Sequence, residues 1–189
     1  MKVDRHDQAK ILTSEEIYHL FDGGGLKTAR DRALFGCCLY TGARISEACQ
    51  LHTKDVYAIN GEVRPRVTIR RATTKGKADT RSVPVGDELK ALLAAYSSPK
   101  VYLFPGRHGL DYIRPDSADS ILRAAFKELA IEGASTHSFR RTCLTKMHLQ
   151  GVPLKVIQKI SGHHSLAALQ RYLEVGDEDL DAAIATLKF

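Results

Sequence analysis

Residues 161–175 read SGHHSLAALQRYLEV and hold reactive side chains in a fixed order. Gly162 is followed by His163, and Tyr172 comes nine residues after that histidine. The pattern predicts a helix over about 165–174. A histidine can donate to a phosphate oxygen or move a proton, and a tyrosine hydroxyl can attack phosphorus and stay attached to it. The segment therefore favours phosphoryl transfer through a covalent intermediate.

Three further segments supply the other groups that such a reaction needs. Residues 41–47 read TGARISE and residues 137–140 read HSFR, so each holds one arginine, Arg44 and Arg140 respectively. Two arginines can hold the non-bridging oxygens of one phosphate by forked hydrogen bonds. The third segment is a turn around Lys75, whose ammonium can reach a leaving oxygen. Together these groups predict catalysis by positioning and charge stabilisation.

The scarcity of acidic residues in the four segments argues against a magnesium-dependent reaction. Metal-dependent phosphoryl transfer usually needs clustered carboxylates, and the only acid within residues 41–47, 74–77, 137–140 and 162–172 is Glu47. His163 and His164 are adjacent, but neighbouring residues rarely point at one ion, and no third ligand follows nearby. We therefore expect no metal and no cofactor.

The positive charge is concentrated in two segments. The chain of 189 residues has a net charge of +6. Residues 64–81 hold seven basic residues and one acid, and residues 137–172 hold six basic residues and no acid. Each segment therefore carries +6, which the rest of the chain offsets with −6. Such segments favour a polyanionic partner.

Several protein classes are excluded by composition. The longest apolar stretch, residues 33–40, is far shorter than the roughly 20 residues that span a bilayer. The polar N-terminus shows no secretory signal, so we expect a cytoplasmic location and no membrane partner. The four cysteines form no C-x-x-C pair, which argues against a zinc ribbon, and we expect them in the core.

The hydrophobic pattern predicts a mainly α fold with a small antiparallel β-sheet (α+β). Thr13 and Glu16 form a capping box, which begins the first helix. Later helices are expected over about 28–40, 44–51, 138–150, 154–160 and 178–187. The alternation at 67–70 and 80–85 predicts two strands joined by the Lys75 turn. With no linker and no repeat, residues 1–189 read as a single domain.

Taken together, the four segments resemble the catalytic domain of the tyrosine recombinase (phage integrase) family. TGARISE resembles the motif of the first arginine, and HSFRRT resembles the His-x-x-Arg box. SGHHSLAALQRYLEV resembles the closing box with the nucleophilic tyrosine, and TTKGKADTRSVPV resembles the hairpin with the catalytic lysine. The match runs from about residue 12 to residue 175, and the four motifs occur in the family's order.

The resemblance implies a role for each matching residue. Arg44 and Arg140 would clamp the scissile phosphate, His163 would donate to its oxygens, and His137 would act as acid, base or donor. Lys75 would protonate the departing 5′ oxygen, Tyr172 would form a 3′-phosphotyrosyl intermediate, and Glu47 would support the site. Lys77 remains the alternative catalytic lysine. The expected contacts with double-stranded DNA are basic residues near these motifs: Arg70, Arg71, Lys77, Arg81, Arg141 and Arg171.

Two other functions remain open for this sequence. A topoisomerase-like enzyme would relax DNA with the same chemistry and no site choice. A DNA-binding accessory protein descended from a recombinase would lack catalysis, and the complete set of six candidate catalytic residues argues against it.

The chain departs from the family in one respect. Most members carry an extra helical domain before the catalytic one, and residues 1–43 already match the start of the catalytic domain. We expect no N-terminal core-binding domain and weak, salt-sensitive DNA binding. The stripe of Leu180, Ile184 and Leu187 either packs on its own domain or docks on a second copy of the chain. We expect a homo-oligomer on DNA, and docking of this stripe would contribute to it.

Overall fold

The computed structural model describes residues 9–70, 79–98, 100–107, 111–173 and 184–185. Eight helices and two strands lie in these ranges. The helices are α1 (Ser14–Phe21), α2 (Ala29–Thr41), α3 (Ile45–Cys49), α4 (Asp87–Ala94), α5 (Pro115–Glu128), α6 (Thr136–Leu149), α7 (Leu154–Ser161) and α8 (Leu166–Gln170). The strands are β1 (Arg66–Ile69) and β2 (Arg81–Pro84). The mainly α architecture with a small antiparallel sheet is confirmed.

Helix α2 is the centre of the core because its residues 33–39 are buried on every side of the helix. It packs against α3, α4 and α6. Phe35 of α2 stacks on Phe139 of α6 with ring centroids 5.6 Å apart, and Phe139 also contacts Phe21 and Phe126. These buried rings fix α6 relative to α2. They thereby fix the position of Arg140, which lies on α6, relative to the turn that follows α2.

The strands pair in antiparallel register, with Val67 opposite Val83 and Ile69 opposite Arg81. Side chains alternate along a strand, so the burial of Val83 places Arg81 on the same inward face. The second strand is one residue shorter at each end than the predicted 80–85. Strand β2 also contacts α7, which brings the sheet to the end of α7 near His163.

The helix ends differ modestly from the prediction. The capping box of Thr13 and Glu16 is confirmed at the start of α1. Helix α6 begins earlier than predicted because Ser135 caps it, and the Ser138 side chain closes a reciprocal capping box. Helix α8 ends at Gln170, four residues before the predicted end, and Arg171 and Tyr172 continue as a turn.

Some predicted features lie outside the described residues. These include the turn with Arg71, Lys75 and Lys77, and most of the predicted helix 178–187, of which only residues 184–185 are described. The four cysteines are free and buried as predicted, and burial raises the pKa of Cys37, Cys49 and Cys143 to about 12. Within the described ranges, no helix is long and apolar enough to cross a membrane.

Candidate active site

Arg44 begins α3, directly after a sharp turn at the end of α2. Gly42 ends α2 with a φ of 63°, in the left-handed region that glycine adopts without strain. The Glu47 carboxylate accepts from the Arg44 backbone N–H at 2.9 Å and from Arg44 Nη1 at 3.1 Å. The turn and this capping carboxylate therefore fix both the backbone and the side chain of Arg44.

Glu47 is completely buried and still charged. Burial alone would raise its pKa, but hydrogen bonds and charges from Arg81 and Arg44 outweigh burial and hold the pKa below its ordinary value. Arg81 Nη2 donates to Glu47 Oε2 at 2.6 Å, and Arg81 Nη1 donates to Oε1 at 3.3 Å. Arg81 is itself buried. Arg81 is predicted as a DNA contact, and in the structure its guanidinium is bound to a carboxylate inside the protein.

Arg140 is the largest fully buried side chain of the described residues. Its Nη1 donates to the carbonyl of Gly42, and its Nη2 donates to the carbonyl of Ser161 at 2.9 Å. Its Nε has no acceptor among the described residues. Burial, and then the charge of Arg44, lower the pKa of Arg140 to about 10, so the guanidinium remains charged at neutral pH. Arg140 thus joins the turn before α3 to the end of α7.

His163 follows Gly162, which ends α7 with a φ of 69°. The imidazole is buried, with Nδ1 2.7 Å from Ser161 Oγ and Nε2 3.1 Å from Arg140 Nη2. Burial first, and then the charges of Arg140, Arg44 and Arg81, lower the pKa of His163 to about 3. The ring is therefore neutral at physiological pH and can form hydrogen bonds without carrying charge.

Tyr172 lies beside these groups. Its ring centroid is 4.9 Å from that of His163 at an angle of 50°, and Arg140 Cζ lies 5.7 Å from the tyrosine ring. Thr145 Oγ1 donates to the Tyr172 carbonyl at 3.2 Å, which ties the turn after α8 to α6. Tyr172 is partly exposed and lines two clefts at the surface.

One cleft of about 320 Å³ collects most of the predicted catalytic residues. Its lining includes Arg44, His137, Arg140 and Tyr172. A second cleft of about 430 Å³ also contacts His137 and Tyr172. His163 lines a larger cleft of about 850 Å³ between β2 and α7. Five of the six predicted catalytic residues therefore lie together, and the sixth, Lys75, is outside the described residues.

The remaining predicted DNA contacts differ in exposure. Arg70 pairs with Asp55 at 2.5 and 2.7 Å, and Arg171 is exposed at the end of α8. Arg141 is buried and donates to the carbonyl of Ala9 at 2.6 Å. Arg71 and Lys77 are outside the described residues.

Sequence reasoning missed residues that support the site. Ser161 contacts both Arg140 and His163, and its position two residues before His163 was the available indication. The inward direction of Arg81 was available from its alternation with Val83. Basic side chains that line the cleft of about 850 Å³ were also missed: Arg66, Lys155 and Lys159.

The lowered pKa of His163 predicts how stability depends on pH. The ring is neutral when folded but titrates near 6.5 when unfolded, so the unfolded chain binds more protons between pH 6.5 and about 3. Stability is therefore complete above pH 6.5 and decreases as pH falls through this window. In His163→Gln, we expect the decrease between pH 7 and pH 5 to be smaller by about 1 kcal/mol, allowing for screening.

Urea unfolding at the two pH values measures this difference. His164→Gln is the matched control, because His164 is adjacent in sequence and exposed. An equal pH dependence in wild type and His163→Gln would contradict the prediction.

Known proteins resemble this chain over nearly its whole length. The sequence matches the phage integrase family over residues 10–179. A tyrosine recombinase of Thermosipho africanus is 28% identical over 182 residues, which are 94% of this chain and 61% of that relative. The chain therefore spans about three fifths of the relative's length.

Solved structures share the fold. The crystal structure of a XerA recombinase matches with a TM-score of 0.78 at 22% identity and covers 97% of this chain and 67% of its own. A XerH recombinase bound to a palindromic difH substrate in a post-cleavage complex matches with a TM-score of 0.74 at 21% identity, over 95% of this chain and 53% of its own. This chain therefore belongs to the phage integrase family and has the fold of a tyrosine recombinase catalytic domain.

Proposed function

We propose that this chain cleaves and rejoins DNA strands in site-specific recombination through a 3′-phosphotyrosyl intermediate. The observation that carries the proposal is the convergence of Arg44, Arg140 and Tyr172 on one cleft, with His163 against the tyrosine ring. Two guanidinium groups beside a tyrosine suit a phosphate diester, because they neutralise the charge that develops on its non-bridging oxygens.

The first step exchanges one phosphate ester for another. The Tyr172 hydroxyl attacks the phosphorus and loses its proton, with His137 as the proposed acceptor at the cleft. The bond from phosphorus to the 5′ oxygen breaks, and Lys75 gives a proton to that oxygen. Arg44 and Arg140 hold the non-bridging oxygens. For neutral His163 to donate a hydrogen bond to one of them, its single proton must lie on Nε2, so the contact of Nε2 with Arg140 Nη2 gives way to the phosphate.

The second step is the reverse reaction with a new strand. The 5′ hydroxyl of a partner strand gives its proton to Lys75 and attacks the phosphotyrosyl phosphorus. The Tyr172 oxygen leaves and regains its proton from His137, and the DNA backbone is restored. The tyrosyl ester conserves the energy of the original bond, so the reaction needs neither ATP nor a metal ion. Residues 1–189 act as one catalytic domain in this proposal, and assembly on DNA brings the second strand within reach.

Trapping the intermediate tests the proposal. A pool of duplexes with a randomised centre and a nick close to the cleavage position releases a short 5′ fragment after cleavage, so rejoining is prevented. We expect a protein–DNA adduct that survives denaturation and forms equally well in EDTA and without ATP. No adduct over the whole pool, or an adduct that requires a metal ion, would contradict the proposal.

A supercoiled plasmid separates site-specific recombination from topoisomerase-like relaxation. The test compares a plasmid that contains a site recovered from the trapped pool with one that lacks it. Recombination requires the site, so we expect the second plasmid to stay supercoiled. Its relaxation would favour the topoisomerase.

A further inference from the structure

The Glu47 carboxylate holds two arginines that come from different parts of the fold. Arg44 contacts it from α3 at 3.1 Å, and Arg81 contacts it from β2 at 2.6 and 3.3 Å. Glu47 is completely buried, so it cannot exchange these partners for water. The position of the Arg44 guanidinium therefore depends on where Arg81 holds the carboxylate.

The same arginine also packs against the turn that carries His163. A Cβ atom added to Gly162 would lie 3.0 Å from Arg81 Nη1 and 3.3 Å from Arg81 Cζ. These distances are shorter than ordinary van der Waals contact, so a side chain at this position would displace the Arg81 guanidinium. Glycine is thus favoured twice at position 162, for its left-handed φ of 69° and for the close approach of Arg81.

We infer that Arg81 is a positioning residue that sets Arg44, through Glu47, and His163, through Gly162, for the phosphate. The inference rests on the proposed function, since it names what organises that site. Arg81 is the first residue of β2, so its bonds to Glu47 anchor the start of this strand in the site. One guanidinium thereby links α3, β2 and the end of α7.

A phosphate-contacting role for Arg81 fits the geometry less well. Its side chain is 7% exposed, and both terminal nitrogens donate to Glu47. Arg81 lines the cleft of about 850 Å³ together with three cations that are exposed and therefore better placed to contact a polyanion: Arg66, Lys155 and Lys159. Removing a phosphate contact weakens DNA binding and lowers its salt dependence, whereas removing a positioning residue slows the reaction of bound DNA.

Loss of Arg81 also alters the pH range of the reaction. The charged and titratable groups that face Glu47 come from five elements: Arg44, Arg81, Arg140, His163 and Cys38. Arg81 is the largest influence that lowers the pKa of Glu47 against burial. Without it, the pKa of Glu47 rises, so Glu47 becomes protonated and releases Arg44 at a higher pH than in the wild type.

The test compares Arg81→Gln with wild type in single-turnover adduct formation on the nicked substrate. We expect cleavage to slow by about 10- to 100-fold, as is common when the partner of a ligating side chain is removed. DNA affinity and its salt slope should stay unchanged, and the acidic limb of the pH–rate profile should move to higher pH. Arg81→Lys keeps the charge and should recover part of the rate.

Arg123→Gln is the matched control, because Arg123 forms an exposed pair with Asp119 at 2.5 Å on α5. If Arg81→Gln does not fold, Arg81→Lys alone tests the inference. This variant must then lower the cleavage rate while DNA affinity and its salt slope stay unchanged. A salt slope smaller by about one in either variant, or a wild-type cleavage rate, overturns the inference. A wild-type protein that forms no adduct overturns the proposed function instead.

A substrate with sulfur at the bridging 5′ position separates Arg81 from the lysine. A thiolate leaves without help from an acid, so sulfur compensates for a misplaced leaving-group lysine but not for a misplaced phosphate clamp. We expect Arg81→Gln to stay slow on this substrate. Full recovery would overturn the inference, because it would assign the whole effect of Arg81 to Lys75.

Discussion

Replacing Tyr172 with phenylalanine is expected to reduce the covalent adduct to background while preserving the fold and DNA binding. The phenyl ring retains the contact with His163 at 4.9 Å and the approach of Arg140 at 5.7 Å, so only the hydroxyl is lost. Without that oxygen no phosphotyrosyl ester forms, and no neighbouring group can replace it as the same nucleophile. Denaturing gels of the trapped substrate measure the adduct, and a mobility shift measures binding.

A second tyrosine provides the control for this prediction. Tyr18 lies on α1 and is 57% exposed, away from the cleft. Tyr18→Phe should therefore form the adduct at the wild-type rate. An adduct that persists in Tyr172→Phe would mean that another side chain is the nucleophile, while loss of DNA binding would mean that the hydroxyl holds the substrate rather than attacks it.

The fold was predictable where local chemistry determines it. Thr13 and Glu16 satisfy the free N–H groups at the start of α1 by themselves, so the sequence suffices to locate that end. The predicted end of α8 lies four residues beyond the observed end at Gln170. A short amphipathic pattern does not indicate the residue at which tertiary contacts end the helix. There Thr145 of α6 binds the Tyr172 carbonyl, a contact across 27 positions of the chain.

The site was predictable in its membership but not in its internal connections. Motif order and spacing suggested that Arg44, Arg140, His163 and Tyr172 act on one phosphate, and these residues do lie together. The charge of Arg81 and its place in the basic segment 64–81 suggested a DNA contact. Its burial depends on Glu47, which lies 34 positions away in the chain, and charge patterning alone does not reveal such pairs.

Replacing each clamp arginine with lysine is expected to separate catalysis from stability. Both variants keep the positive charge but lose the planar fork that binds two oxygens at once. Either change should slow cleavage by about 10²- to 10³-fold, the usual effect of removing one donor to a developing negative charge. Single-turnover adduct formation measures this loss, and Arg123→Gln again provides the exposed control.

The two variants should differ in unfolding because the two arginines have different partners. Arg140 is buried and bonds the carbonyls of Gly42 and Ser161, so Arg140→Lys leaves at least one of them unsatisfied and should cost about 1.5–3 kcal/mol. Arg44 is partly exposed, and its guanidinium bonds Glu47, which keeps Arg81 as a partner when Arg44 is replaced. Arg44→Lys should therefore cost less than about 1 kcal/mol. Equal destabilisation in urea would contradict this difference, because it would mean that Arg140 does not join the turn before α3 to the end of α7.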